Sequence, residues 1–218
     1  MRFRDRVALV TGAASGIGAA TAERLAQEGA HVLVTDVDGE GGAKLAARIT
    51  SGGGRASYHH LDAASGADWD ALSAYVTRTW GRLDVLHSNA GRAIVVKPAH
   101  EFTEPEWQAQ IGVSLTAAWL GVRAFIGLLR QARGAIVLTS SVHALAGLPG
   151  HPAYAAAKGA LCALGRQLAR ARRSPRATGL ARRRLPVRSR AEALDARPAP
   201  GRRWYRGSAC ILRPAPPA

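Results

Sequence analysis

The chain has 218 residues, 47% of them hydrophobic, which predicts one domain with its own core. It shows no apolar run of membrane-spanning length, no signal-peptide pattern and only two distant cysteines, so we expect a cytoplasmic protein with no membrane partner and no disulfide framework. The net charge of +15 lies mainly in residues 170–218, with 14 arginines against two acidic residues, whereas residues 1–169 carry 16 basic and 13 acidic ones. The charge therefore gives little reason to expect nucleic acid as a partner of the larger part.

Strand and helix patterns alternate along most of the chain. Short apolar runs predict five strands, at 6–11, 31–36, 56–62, 83–88 and 134–141. Apolar residues at helical spacing predict helices at 19–29, 41–50, 69–80 and 103–129 and one that contains Tyr154 and Lys158. Such alternation requires crossover connections, so we predict an α/β fold with a doubly wound, Rossmann-like parallel sheet. Ligands of such sheets bind at the carboxyl ends of the strands.

A glycine-rich segment, TGAASGIG at 11–18, lies between the first strand and the first helix. A nucleotide pyrophosphate would meet the helix N-terminus at this point. Gly12 can form the tight turn, Gly16 lets the backbone approach phosphate, and Gly18 allows the helix to pack closely on the sheet. An ordinary turn could use the same residues, but their position directly after a buried strand favours a nucleotide site.

Asp36 ends the second predicted strand, about twenty residues beyond the glycines. A carboxylate at this position can accept hydrogen bonds from ribose hydroxyls, and it would repel a 2′-phosphate. The sequence therefore predicts NAD rather than NADP as the cofactor, although aspartate is also common in ordinary turns.

Tyr154 and Lys158 are four residues apart on a predicted helix, so both project from one helix face. An ammonium group near a phenol favours the phenolate, and such a pair can exchange a proton with a carbonyl or alcohol oxygen. Ser141, at the end of the preceding strand, could hydrogen-bond the same oxygen. Taken alone, a Tyr–Lys pair at this spacing is also typical of a protein surface. His143 and His151 flank this site and could contact substrate, although loop polarity also explains them.

Four motifs together resemble those of the short-chain dehydrogenase/reductase family: TGAASGIG at 11–18, NAG at 89–91, the serine of TSS at 139–141 and YAAAK at 154–158. Their order and approximate spacing are similar to those of the family over about residues 4–170. The resemblance implies a NAD(P)-binding, Rossmann-like domain at 1–170. It also implies an oxidoreductase that interconverts a secondary alcohol and a ketone, both small molecules.

The resemblance implies a role for each matching residue. Tyr154 would be the catalytic acid/base, Lys158 would bind the nicotinamide ribose, and Ser141 would orient the substrate oxygen. Asp62 would lie near the adenine and Asn89 beside the adenosine half of the cofactor. The implied cofactor-binding set is Gly12, Ser15, Gly16, Ile17, Gly18, Asp36, Asp62, Asn89, Ala90, Gly91, Tyr154 and Lys158.

One position departs from the family's pattern. Members usually carry an asparagine in the long helix before the catalytic strand, where it helps to hold a water in a proton relay. The segment IGVSLTAAW places Ser114 there, and a serine is shorter, so the relay is open to question. No set of residues has metal-ligand spacing, and we expect no metal.

Residues 171–218 do not follow the family's pattern. They hold seven of the eleven prolines and only eight large apolar residues, with neither strand alternation nor a helical stripe. We expect a disordered or non-native tail and a sheet that is incomplete at its C-terminal end. The tail could be a basic arm for nucleic acid or an anionic membrane, an unusual substrate domain, or an out-of-frame translation of a GC-rich gene. We favour the third, because GC-rich codons read out of register encode mainly Arg, Ala, Pro and Gly.

Three functions remain open from the sequence. The first is an NAD(P)-dependent oxidoreductase with Tyr154 as acid/base, and the second is a catalytically impaired nucleotide-binding remnant of such an enzyme. The third, a basic-tailed nucleic-acid binder, is the least favoured because the basic residues lack a regular spacing. The resemblance also implies a homo-oligomer that pairs through the helices at 107–129 and 154–168.

Overall fold

The computed structural model describes residues 1–171 and 209–211. Strands and helices alternate in the predicted order, close to the predicted boundaries. The strands are β1 Val7–Thr11, β2 His31–Asp36, β3 Arg55–His60, β4 Val85–Ser88, β5 Ala135–Thr139 and β6 Ala209–Ile211. The helices are α1 Gly16–Gln27, α2 Gly39–Ser51, α3 Gly66–Thr79, α4 Glu104–Ile111, α5 Ala117–Gln131 and α6 Pro152–Ala171.

The six strands form one sheet in the order β3-β2-β1-β4-β5-β6. The first five strands are parallel, and Leu9 of β1 lies level with Leu33 of β2 and Leu86 of β4. The chain runs outward from β1 in one direction through β2 and β3 and in the other through β4 and β5. The gap between the ends of β1 and β4 is therefore the switch point at which a ligand cleft is expected in such sheets.

Helices cover both faces of the sheet, and each face has its own apolar core. On one side, the fully buried Trp69, Phe125 and Leu161 come from α3, α5 and α6. On the other side, the buried Leu25 and Ile49 come from α1 and α2. A strand covered on both faces can be apolar throughout, which explains why all five residues of β1 are buried. The doubly wound, Rossmann-like parallel sheet that the sequence predicts is confirmed.

The predicted long helix at 103–129 contains a π-helical turn. The backbone N–H of Thr103 donates to the Glu106 carboxylate at 2.8 Å, as a capping box requires, and α4 begins there. A π-helical turn, Gly112–Thr116, then separates α4 from α5. Sequence periodicity does not reveal such a turn, because the apolar residues on either side keep a helical spacing.

The helical stretch Glu104–Gln131 corrects the expectation that the chain has no apolar run of membrane-spanning length. Its 28 residues include an 18-residue window of mean hydropathy 1.6, so among the described residues this one stretch is long and apolar enough to cross a membrane. Its apolar side chains Phe125 and Leu129 are buried in the core. A core helix of this length has the same composition, so the stretch is not by itself a sign of a membrane partner.

Strand β6 is a second difference from the sequence analysis, which found no strand pattern beyond residue 170. These three residues pair antiparallel with β5, with Cys210 level with Leu138. Three residues are too few to show an alternation in the sequence. The predicted disorder of the rest of the tail, 172–208 and 212–218, concerns residues outside those that the structure describes.

Candidate active site

The glycine turn after β1 contains two positions that only glycine fits. Gly12 has φ +62°, and a methyl group there would lie 2.9 Å from the Cα of Ala90. A methyl group at Gly18 would lie 2.0 Å from the carbonyl oxygen of Gly12. The first contact brings the turn against the end of β4, and the second brings α1 against the turn, so the backbone is folded tightly at the switch point.

The open side of this turn fits an anionic group. Gly16, with φ +54°, has no atom within 4 Å of the place that a side chain would take. Ser15 caps α1 without a side-chain hydrogen bond, and the first turn of α1 contains no acidic residue. Free helix N–H groups and the helix dipole both favour a negative charge at such an end. The residues therefore fit the pyrophosphate of a dinucleotide, and the neighbouring Ile17 is exposed.

Asp36 and Asp62 lie at the ends of β2 and β3, on the same edge of the sheet. Asp36 accepts the backbone N–H of Ala14 at 2.9 Å and that of Asp38 at 3.1 Å, one on each carboxylate oxygen. These bonds hold its carboxylate beside the glycine turn. Asp62 is exposed, and its carboxylate accepts the backbone N–H of Ala64 at 2.9 Å, a hydrogen bond within its own loop.

A chain of hydrogen bonds runs from the glycine turn to α6. The side-chain amide of Asn89 donates to the carbonyl oxygens of Thr11 at 3.0 Å and Gly12 at 3.2 Å. Its amide oxygen accepts from the Thr139 hydroxyl at 3.3 Å, and the Thr139 carbonyl accepts from Lys158 Nζ at 2.7 Å. Asn89 and Thr139 therefore connect the predicted cofactor site to the predicted catalytic helix across three strands.

Lys158 is buried, with 2% of its surface exposed. Burial lowers the pKa of its ammonium to about 8, because a charge is less stable away from water. Its Nζ lies 5.6 Å from the ring centroid of Tyr154, on the same face of α6. Gly91, with φ +147°, leaves room for Lys158, since a methyl group there would lie 3.1 Å from Nζ and 3.4 Å from the Ser114 hydroxyl oxygen.

His143 contacts both Ser141 and Tyr154. Ser141 is the N-cap of a short 3-10 helix, Val142–Ala144, and its hydroxyl accepts the backbone N–H of His143 at 3.3 Å. The His143 ring packs edge to face on the Tyr154 ring, with 5.2 Å between centroids. Ser141, Tyr154 and Lys158 thus lie around one end of α6, at the carboxyl ends of β4 and β5.

The profile of the family described as short chain dehydrogenase matches residues 6–175. The chain belongs to this family. Among its relatives, cyclopentanol dehydrogenase of Comamonas testosteroni is 38% identical over 161 residues, which are 73% of this chain and 64% of the relative. The 3beta-hydroxysteroid dehydrogenase of Mediterraneibacter gnavus is 35% identical over 168 residues, 77% of this chain and 61% of the relative. The chain thus matches less than two thirds of the length of these relatives.

Two solved structures show the same fold. A metagenomic short-chain oxidoreductase in complex with NADP superimposes with a TM-score of 0.76 at 35% identity, covering 78% of each chain. An oxidoreductase, yciK from E. coli, gives a TM-score of 0.73 at 30% identity, covering 78% of this chain and 71% of that one. The short-chain dehydrogenase fold of residues 1–171 is therefore established, whereas the residue roles remain predictions.

Ser114, at the position where the family usually carries an asparagine, lies buried in the π-helical turn. Its hydroxyl accepts from Gln110 Nε2 at 2.8 Å, and the same nitrogen donates to the Arg92 carbonyl at 2.8 Å. Gln110 also accepts the backbone N–H of Ile94 at 2.8 Å, so it ties α4 to the loop after β4. Neither Gln110 nor Thr139 was among the site residues predicted from the sequence, although the four-residue spacing of Gln110 and Ser114 was a usable signal.

Proposed function

We propose that the protein is an NAD-dependent oxidoreductase that interconverts a secondary alcohol and a ketone. The observation that supports this most strongly is the chain of hydrogen bonds from Gly12 through Asn89 and Thr139 to Lys158. These bonds connect the glycine-rich turn, which fits an anion, to the helix of Tyr154 and Lys158 at the same edge of the sheet, and this supports a shared site. Hydride transfer requires a cofactor-binding turn and a catalytic pair close together, because the cofactor and the substrate must be in contact.

The proposed roles of the catalytic residues are those that the family resemblance implies, and their positions support them. Tyr154 would exchange a proton with the substrate oxygen, and the Lys158 ammonium would stabilise its phenolate. Ser141 would hydrogen-bond the same oxygen, and Ser114 and Gln110 would support the wall beside Lys158. The nicotinamide, when bound, supplies or accepts the hydride.

The cofactor preference rests on Asp36. Its carboxylate is held beside the glycine turn by two backbone N–H groups, and a 2′-phosphate would face its negative charge. We therefore propose NAD, although the metagenomic relative was solved with NADP.

The substrate proposal rests on two loops at the carboxyl edge. Ile94 and Val96 in the loop after β4, and Leu145 and Leu148 in the loop after β5, are exposed. The backbone N–H of Lys97 donates to the Gly150 carbonyl at 3.0 Å and ties the two loops together. Apolar side chains beside the site favour an apolar alcohol, and the names of the cyclopentanol and hydroxysteroid relatives favour a cyclic one.

Replacing Tyr154 by Phe tests the proposal. We expect turnover of cyclic secondary alcohols, followed as NADH absorbance, to fall by at least about a thousandfold, because the variant has no proton to exchange. Binding of NAD, measured by calorimetry, should be unchanged and tighter than binding of NADP. The control is Tyr75→Phe on α3, whose ring packs on His59 away from the site.

Unchanged turnover in Tyr154→Phe would rule out the proposed acid/base, and tighter binding of NADP would rule out the cofactor preference. NAD binding without turnover of any alcohol by the unaltered chain would favour the alternative, a catalytically impaired nucleotide-binding remnant. Cytoplasmic location, homo-oligomer formation and the least favoured function, nucleic-acid binding by the basic tail, stay predictions.

A further inference from the structure

His143 lies between two of the proposed catalytic residues, and the family resemblance gives it no role. Its Nδ1 is 3.1 Å from the Ser141 hydroxyl oxygen. Its ring packs on Tyr154 with an interplanar angle of 85° and on His151 with 5.0 Å between centroids and an angle of 80°. Two edge-to-face contacts fix the plane of the imidazole, so Nδ1 is held towards Ser141.

The hydrogen bonds of Ser141 leave two possible arrangements. A hydroxyl has one proton and two lone pairs, and one lone pair of Ser141 accepts the backbone N–H of His143. If Nδ1 of His143 carries a proton, it donates to the second lone pair, and the hydroxyl proton stays free for a substrate oxygen. If Nδ1 is bare, it attracts the hydroxyl proton and removes it from the substrate.

The other nitrogen of His143 decides between these arrangements. Nε2 is buried and has no hydrogen-bond partner among the described residues. In the second arrangement the neutral ring would carry its proton on Nε2 and bury an N–H donor without an acceptor. Buried N–H groups without partners are rarer in proteins than unpaired acceptor atoms, so the first arrangement is favoured.

We propose that His143 is a positioning residue, neutral and protonated on Nδ1, that turns the Ser141 hydroxyl proton towards the substrate oxygen. The proposal rests on the proposed function, because it assumes that Ser141 contacts substrate. It adds that the direction of that hydroxyl is set by a second side chain. A serine hydroxyl alone can rotate, whereas here two donors would occupy the lone pairs of Ser141.

The tautomer can be measured without turnover. The full chain is labelled with ¹⁵N, and the imidazole nitrogens are observed by long-range proton correlation at a pH where the ring is neutral. The signals of His143 are assigned by their loss in His143→Asn. We expect protonated Nδ1 and bare Nε2, and a shift of this balance towards the Nε2 form in Ser141→Ala. A neutral His143 protonated on Nε2 would overturn the proposal whether or not the chain is active.

Two phenylalanine variants separate the hydrogen bond from packing. His143→Phe keeps an aromatic ring but loses the donor, and we expect kcat to fall about tenfold, the effect of one ordinary hydrogen bond, with KM and NAD binding nearly unchanged. The control is His31→Phe at the start of β2, whose ring also packs on an aromatic ring, that of Trp80, away from the site, and it should leave kcat within about twofold. His143→Asn retains an N–H near the Nδ1 position and should recover most of the loss.

A double variant tests whether His143 acts through Ser141. In the Ser141→Ala background, His143→Phe should cause no further fall in kcat, because the hydroxyl that it positions is absent. Equal losses in His143→Phe and His143→Asn, or a full additional loss in the double variant, would contradict the proposal and indicate a packing role instead.

Discussion

The two edges of the sheet each bury a charged side chain, and they stabilise it to different extents. At the amino-terminal edge, Asp84, 5% exposed, accepts hydrogen bonds from Arg6, Arg82 and the backbone N–H of Val7. At the carboxyl edge, Lys158 is 2% exposed and donates to the Thr139 carbonyl. The Asp84 carboxylate thus lies beside two guanidinium groups, whereas the Lys158 ammonium lies beside a neutral carbonyl oxygen.

The pKa values of the two groups reflect this difference. Burial alone would raise the pKa of Asp84, but hydrogen bonds from Arg82, Val7 and Arg6 outweigh it and hold the pKa below its ordinary value. For Lys158, burial lowers the pKa to about 8, which means that its charge is destabilised. The buried charge of Asp84, with two arginines beside it, is typical of a group that stabilises the fold. The buried charge of Lys158, with no opposite charge beside it, is typical of a functional site.

The largest effect is expected at Asp84. Replacing it by Asn keeps the volume but removes the charge and one acceptor, and we expect the free energy of unfolding to fall by about 3 kcal/mol. Chemical denaturation measures this directly. The control is Asp70→Asn, which removes an exposed ion pair with Arg123 and should change stability by less than about 0.5 kcal/mol. Equal losses in the two variants would refute the structural role of Asp84.

A smaller effect, an increase in the free energy of unfolding, is expected at Lys158. Replacing it by Met removes a buried ammonium that costs about 3 kcal/mol and a hydrogen bond worth about 1 kcal/mol, so the cofactor-free protein should become more stable by about 2 kcal/mol at pH 7. Activity should be lost in the same variant. Lys44→Met on α2, which removes an exposed pair with Glu40, is the control and should be nearly neutral. A destabilised Lys158→Met would show that the ammonium is better paired than the structure indicates.

The smallest effect is the pH dependence of the stability difference between the unaltered protein and Lys158→Met. Above pH 8 the folded protein releases the Lys158 proton while the unfolded chain retains it, so the stability of the unaltered protein rises with pH. Between pH 7 and pH 9 we expect the stability gap to Lys158→Met to narrow by about 1 kcal/mol. Denaturation curves of both proteins at each pH cancel the other titrating groups. A gap that stays constant would mean that the Lys158 pKa is not lowered.

Local patterns predicted much of this structure. The buried β1, the glycine turn and the Tyr154–Lys158 spacing are each readable within a few residues, and together they predicted the fold and the edge at which the candidate site lies. The capping box that begins α4 is local for the same reason, because Thr103 and its partner Glu106 are three residues apart.

The features that the sequence did not predict depend on residues far apart in the chain. Asp84 gained its structural role from Arg6, which is 78 residues away. Thr139 became part of the candidate site through Asn89, 50 residues away, and β6 is a strand because β5 lies beside it. Such contacts form only after the sheet has assembled, so no local spacing records them.

The π-helical turn at Gly112–Thr116 has a consequence for how this chain can vary. An α-helix turns by about 100° per residue, and a π-helical turn, with its i→i+5 hydrogen bonds, holds one residue more than an α-helical turn for nearly the same rotation. Deletion of one residue within the turn would therefore leave an ordinary helix in which α5 keeps its orientation, so Phe125 and Leu129 would stay in the core. The spacing of Gln110 and Ser114 would change instead, because Ser114 lies within the turn. We therefore expect such a deletion to alter the wall beside Lys158 while the packing of the core is kept.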